Sequence, residues 1–165
     1  SVLYTFLHAF GDSTWKKGLN YYLTNRINNF ASSDDLYEGL QRAVNEDYSA
    51  STPNVAEIMK TWEFQGGFPL ITVSRNDSLV SISQERFFYG SDVSDSLWHI
   101  PISYYTSSSP NASKTTADFW ISNSQTTTLT TVVLDKIKDA NDWIIFNTQQ
   151  VRFKSLTWRF IITNF

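Results

Sequence analysis

A chain of 165 residues that is 41% hydrophobic and 16% aromatic has the apolar content for one good-sized domain or two small ones, which excludes a disordered chain. Its net charge of −3 comes with no broad basic field, which argues against nucleic acid as a partner. The absence of cysteine removes disulfides, zinc–thiolate sites and thiol catalysis together, and no run of about 18 apolar residues is available to span a membrane.

The first residues, SVLYTFLHAF, lack the basic start and small-residue cleavage site of a leader and begin inside an amphipathic pattern. The chain therefore reads as a piece of something longer. Val2, Leu3, Phe6, Leu7 and Phe10 fall on one helical face, with Gly11 as a stop. Ser13 is placed to cap a second helix carrying Trp15, Leu19, Tyr22, Leu23 and Ile27. A third starts at Ser32 or Ser33, with Asp34-Asp35 at the positive end of its dipole and Leu36, Leu40 and Val44 as its buried stripe. Thr52-Pro53 opens a fourth, which turns Val55, Ile58, Met59 and Trp62 inward and is expected to end at Gly66-Gly67.

From Phe68 the period becomes two. FPLITVS and LVSISQERF flank a turn at 75–78 and predict a β-hairpin, and further strands are expected at 98–106, 117–123, 128–134 and 142–148. Helices segregated from short strands predict an α+β chain, a helical segment followed by an antiparallel β-sandwich. Ser103–Thr131 is rich in Ser and Thr, which suits polar strand faces and solvated loops, since Phe119, Trp120 and Ile121 interrupt it. Asn76-Asp77-Ser78 and Asn111-Ala112-Ser113 are N-glycosylation sequons in expected turns, which favours a secreted or ectodomain setting.

No complete active site can be assembled from these residues. Two histidines, His8 and His99, stand in different segments, and His8 has no second histidine four residues away, so HExxH is absent. The serines include no GxSxG elbow. Asp34-Asp35 is explained by helix-start electrostatics and Glu46-Asp47 by a polar loop, while Gly66-Gly67 lacks the spacing and lysine of a phosphate loop. Catalytic, metal and substrate-binding residues are therefore all expected to be absent.

The junction EIMKTWEFQGGFPLITV resembles the segment joining the catalytic and sandwich domains of M1-family zinc aminopeptidases. Met59, Trp62, Gln65, Gly67, Phe68 and Pro69 carry that likeness. Gln84, Glu85, Arg86 and Phe87 are similar to the family's Gln-x-Arg-Phe strand, Trp98, Ile100, Pro101 and Ile102 to its Trp-x-Ile-Pro strand, and Phe146-Asn147 to a later strand. The flavour is that of membrane alanyl aminopeptidases, insect aminopeptidase N in particular.

The resemblance implies a division into 1–66, the last helices of the peptidase domain, and 67–150, an incomplete β-sandwich. It implies a longer protein, at the cell surface or extracellular, that removes N-terminal residues from peptides. There a zinc would polarise the scissile carbonyl and activate water, a Glu would act as base and a Tyr would stabilise the oxyanion. None of those residues carries over onto this chain, so zinc belongs to the longer protein and this piece supplies scaffold. Its partners would be the rest of the peptidase domain and a C-terminal helical domain, and Trp15, Tyr22, Trp62 and Phe64 are expected to be partly bare without them.

Residues 151–165 depart from the family's strand. Two accounts fit: a divergent strand in which Phe160, Ile161 and Ile162 pair in a sheet, or read-through at an exon boundary, since Val151-Arg152 is encodable by a splice-donor-like sequence. A different class of function, a glycan- or protein-binding sandwich, would use Trp98, Tyr104, Tyr105 and Trp120 as stacking surfaces.

Overall fold

The computed structural model describes residues 2–48, 54–76, 79–88, 95–123, 126–129, 142–150 and 158–162. Four helices come first: α1 (Val2–Phe10), α2 (Asp12–Asn25), α3 (Ser33–Asp47) and α4 (Val55–Glu63). Strands follow, giving the α+β order expected from the change of period.

Helix α1 buries Phe6 and Phe10, with Val2 and Leu7 at the edge of the same cluster. Leu3 is half exposed, because at 100° per residue it sits roughly a quarter-turn from the centre of the buried arc. Ser13 is not the cap of α2. Gly11, at φ +86°, turns the chain directly from one helix into the next, and no side chain caps the new helix. That left-handed backbone suits glycine.

Helix α2 presents Thr14, Trp15 and Gly18 to the core. Leu23 lies on the opposite side and Ile27 beyond the helix end, so both are exposed. Trp15, expected to be partly bare, is buried. Helices α2 and α3 meet at two glycines: a Cβ on Gly39 would lie 2.8 Å from both Gly18 O and Tyr22 N.

Ser32 caps α3 through a capping box, in which Asp35 N–H donates to Ser32 Oγ (3.3 Å) and Ser32 N–H to Asp35 Oδ2 (2.8 Å). Asn54, rather than a proline at the first turn, opens α4 by accepting from Ala56 N (2.9 Å) and Glu57 N (3.2 Å); Thr52 and Pro53 lie outside the described residues. Helix α4 stops at Glu63, short of Gly66-Gly67. Its last turn is closed instead by Phe64 N–H to Lys60 O (3.1 Å) and the Gln65 side chain to Thr61 O (3.0 Å), which occupy carbonyls left open at a helix end.

Strands β1 (Pro69–Asn76) and β2 (Leu79–Arg86) pair antiparallel from Pro69↔Arg86 to Asn76↔Leu79. Arg75 and Asn76, expected in the turn, therefore belong to the ladder. The expected strand 98–106 divides into β3 (Ile100–Ile102) and β4 (Tyr104–Thr106). β3 pairs with β5 (Phe119–Ile121) and β4 with β7 (Ile144–Phe146). The switch falls at buried Ser103, whose carbonyl accepts from Asn147 N (2.8 Å) and whose hydroxyl accepts from Thr148 N (3.1 Å). Asn147, at φ +57°, ends β7.

β6 (Thr126–Leu129) pairs antiparallel with β2, and residues 130–134 of its expected span lie outside those described. β8 (Trp158–Ile162), in the tail, pairs parallel with β1 from Ile71↔Trp158 to Arg75↔Ile162. The larger sheet thus has the order β6–β2–β1–β8. One parallel pair departs from the wholly antiparallel expectation, and the long stretch between β1 and β8 supplies the crossover that such a pair requires.

One core lies between this sheet and the two small ones, with Ile71, Val73, Val80 and Ile82 facing Trp98, Ile100, Ile102, Tyr104, Ile121 and Phe146. A second lies among the helices. Trp62 packs against both, and Trp120 of β5 reaches the helical one, with its ring 6.3 Å from Phe6 and 5.4 Å from Phe10.

Candidate functional site

Four of the residues that carry the family likeness, Trp62, Gln65, Gln84 and Trp98, converge on one joint where α4 meets the strands. Trp62 Nε1–H donates to His99 O (2.8 Å), His99 N–H donates to Thr61 Oγ1 (3.2 Å), and Gln65 Nε2 donates to Leu97 O (2.9 Å). Two residues of the last helical turn and Gln65 just beyond it thereby bind the backbone of 97–99, each satisfying a polar group that packing removes from water. The Trp62 and Trp98 rings lie 6.1 Å apart beneath these bonds.

Gln84 closes the strand side. It is buried, donates from Nε2 to Trp98 O and Ser122 O (both 2.8 Å), and accepts from Trp98 N (2.9 Å). A single amide group thus holds β2, the segment before β3 and the end of β5 in register, a bidentate use that an amide side chain permits and an alkyl chain does not. Phe68 and Phe87 stack at 4.9 Å and 13°, with Phe87 N–H donating to Phe68 O (2.9 Å). Gly67, at φ +92°, passes under Arg86, where a Cβ would lie 2.8 Å from Nε. Both the dihedral and the space call for glycine there.

The polar residues weighed for chemistry are dispersed into structural roles. His8 bonds through Nδ1 to Thr115 Oγ1 (3.2 Å) and meets the Tyr4 ring edge-on at 4.5 Å. His99 lies at the joint, its Nδ1 buried without a hydrogen-bond partner among the described residues; burial pushes its pKa down, against the opposing pull of Glu57. Asp34 pairs with Lys60 (2.8 Å). Asp35 is held below the ordinary carboxylate range first by the Ser32 backbone N–H, then by the Ser32 hydroxyl and Arg26.

Glu46-Asp47 is not a loop. It closes α3, and there Asp47 receives hydrogen bonds from Lys17 and from Thr14 (2.7 Å), while Glu46 takes the Tyr21 hydroxyl. The Lys17 bond, then the Thr14 bond, lowers the Asp47 pKa. These contacts lock α2 to α3. Tyr104 is pushed up to about 12 by burial, with nearby Asp118 adding to the effect. Among the described residues, no three His, Cys, Asp or Glu side chains come together as a metal site.

The sequon residues separate. Asn111 is exposed in the turn before β5, whereas Asn76 is paired with Leu79 at the end of the β1–β2 ladder. The aromatics considered as stacking surfaces are mostly core: Trp98 and Tyr104 are buried, Trp120 packs on α1, and Tyr105 meets Trp143 edge-on. A strand's period assigns residues to faces but does not say which face is covered.

Two grooves open on the helical side. One, of about 280 Å³, is lined by Val2, Leu3, Leu36, Met59, Trp62 and Glu63 among others. The other, of about 520 Å³, lies along α3 beside Asp34, Tyr37, Glu38, Arg42 and Glu46. Phe30, Phe64, Leu23 and Ile27 are the most exposed large apolar side chains near these helices, and among the described residues no helix is long and apolar enough to cross a membrane.

No family model matches the chain. Membrane alanyl aminopeptidase of Manduca sexta is 28% identical over 166 residues, covering 93% of this chain and 16% of the relative. Aminopeptidase N of Plutella xylostella is 28% identical over 169 residues, covering 96% and 17%. Endoplasmic reticulum aminopeptidase 2 of Bos taurus is 28% identical over 186 residues, covering 92% and 18%. The chain thus spans about one-sixth of the length of these curated relatives. The likeness first read at the helix–strand junction runs along more than nine-tenths of the sequence, and it is a likeness to one segment of the M1-family aminopeptidases.

Proposed function

We propose that the chain is the part of a longer, cell-surface or extracellular zinc aminopeptidase that joins the end of its peptidase domain (1–66) to its β-sandwich (67–150), with 151–165 as a divergent tail. Its work is mechanical. It fixes the last helices of the peptidase domain on the sandwich through the Trp62–Gln65–Gln84 joint, and it performs no hydrolysis itself. The observation that carries this reading is the similarity to aminopeptidases along nearly the whole chain but only about one-sixth of their length.

One structural feature supports it. The helical side carries an apolar groove beside Leu3, Met59 and Trp62, and Phe30 and Phe64 are exposed, surfaces of the kind that partner elements cover. The rest of the peptidase domain is the occupant proposed for it, and peptides are the substrates of the complete enzyme.

Reading the transcript upstream of the Ser1 codon tests the assignment. A single open frame holding Gly-x-Met-Glu-Asn, then HExxH and a distal Glu, is expected, and an in-frame sequence without them overturns it. The purified 165-residue chain is also expected to release no arylamine from an aminoacyl arylamide with zinc added. Turnover at stoichiometric zinc would show that the chain carries its own active site.

A further inference from the structure

We propose that Asn111 is an acceptor for N-linked oligosaccharide, and that the segment between β4 and β5 is built to display it. The tripeptide Asn111-Ala112-Ser113 has no proline at its middle position or after it, which meets the sequence requirement for transfer. All three residues are exposed, as is Pro110 before them. Ser113 N–H donates to Asn111 Oδ1 (3.3 Å), so the tripeptide closes on itself as an Asx-turn. The amide nitrogen that would be glycosylated has no partner among the described residues.

The segment is anchored on both sides of this tip. Before it, Ser109 N–H donates to Thr106 O (3.1 Å). After it, Thr115 bonds to His8 of α1, Lys114 pairs with Asp118, and Ala117 N–H donates to Ala9 O (3.1 Å). The acceptor therefore stands on a fixed base, and attachment at Asn111 Nδ2 leaves the Asx-turn bond to Oδ1 in place. Asn76 differs, because its backbone is already in the β1–β2 ladder opposite Leu79.

The transfer needs an oligosaccharide carried on a polyprenyl diphosphate. Asn111 Nδ2 attacks the anomeric carbon, a C–N bond forms as the C–O bond to the diphosphate breaks, the polyprenyl diphosphate leaves with that electron pair, and the amide loses one proton to base. The proposal rests on the extracellular or cell-surface reading only for the route by which the chain meets this donor.

Fusing the 165-residue chain to a heterologous secretion leader removes that dependence. In secretory cells the chain is expected to show an endoglycosidase-sensitive step of slower gel migration that Asn111→Gln and Ser113→Ala abolish and that Ser113→Thr and Asn76→Gln retain. Wild-type chain without any such step, or an Asn111→Gln variant that keeps every step of the wild type, overturns the proposal. Expressing the natural transcript from its own start, with no added leader, asks the separate question of where the protein goes.

Discussion

Replacing Gly39 by alanine sets two effects of opposite sign against each other. Alanine in a helix interior is favoured over glycine by about 1 kcal/mol. At this position, however, the new Cβ would lie 2.8 Å from Gly18 O and 2.8 Å from Tyr22 N, 0.6 Å inside the 3.4 Å at which ordinary contact begins. Both neighbours are backbone atoms of α2, so no side chain can swing aside and the helices must separate. Gaps of roughly 0.5–1 Å forfeit a quarter to a half of the dispersion attraction between the atoms concerned, and overpacking of this kind costs about 1–3 kcal/mol.

The net expectation for Gly39→Ala is a loss of up to roughly 2 kcal/mol despite the better helix former, or a fall in Tm of up to about 8 °C for a chain of this size. Urea titration followed by far-ultraviolet circular dichroism measures it. Gly18→Ala, whose Cβ would meet Leu40 Cα at 2.8 Å, should behave alike. The double variant should cost less than the sum, since helices already pushed apart accommodate the second methyl group. A raised midpoint for Gly39→Ala, the gain that helix propensity alone would give, would refute the close approach of α2 and α3.

Three further outcomes are expected. Trp120→Ala removes the ring between the strands and α1, and should cost about 3 kcal/mol, the low end for a large aromatic because Trp120 is half-buried. Helical and near-ultraviolet signals should still be lost together, whereas separate transitions would show that the joint does not couple the two halves. Gln84→Leu strands Trp98 N and O together with Ser122 O and should cost roughly 3 kcal/mol, read as a shift in the urea midpoint; a neutral result would remove Gln84 from the joint. Acid should weaken the fold through His99. Its folded pKa lies below the ordinary 6.5, so the unfolded chain takes up this proton first, and stability falls as pH drops through 6.5 toward the folded value, with no such slope above. Urea midpoints between about pH 7.5 and about pH 5.5 should show the slope, and His99→Gln should make it shallower.

The sequence alone determined the class of fold and the places where its elements change. Helical spacing at Phe6, Phe10, Leu40, Val44, Ile58 and Met59, and a period of two at Ile71, Val73, Val80 and Ile82, match residues that are buried. These patterns are local consequences of 3.6- and 2-residue repeats. The sequons and the missing catalytic motifs were equally legible, because both are statements about residue identity. Element ends were not. Asn54 rather than Pro53, Gly11 rather than Ser13, and Phe64 rather than Gly66-Gly67 mark helix boundaries, since a cap depends on which backbone conformation the neighbouring packing permits.

Only tertiary structure decided what the family-like residues do. Trp62, Gln65, Gln84 and Trp98 are spread over 37 residues, yet they meet at one joint through bonds to backbone atoms remote in sequence. The division of 98–106 at Ser103, the parallel β8 and the burial of Trp98 beneath α4 were likewise settled by partners far away in the chain. Periodicity fixes which face a residue takes, whereas what covers that face is a property of contacts between segments far apart in sequence, and no local pattern encodes it.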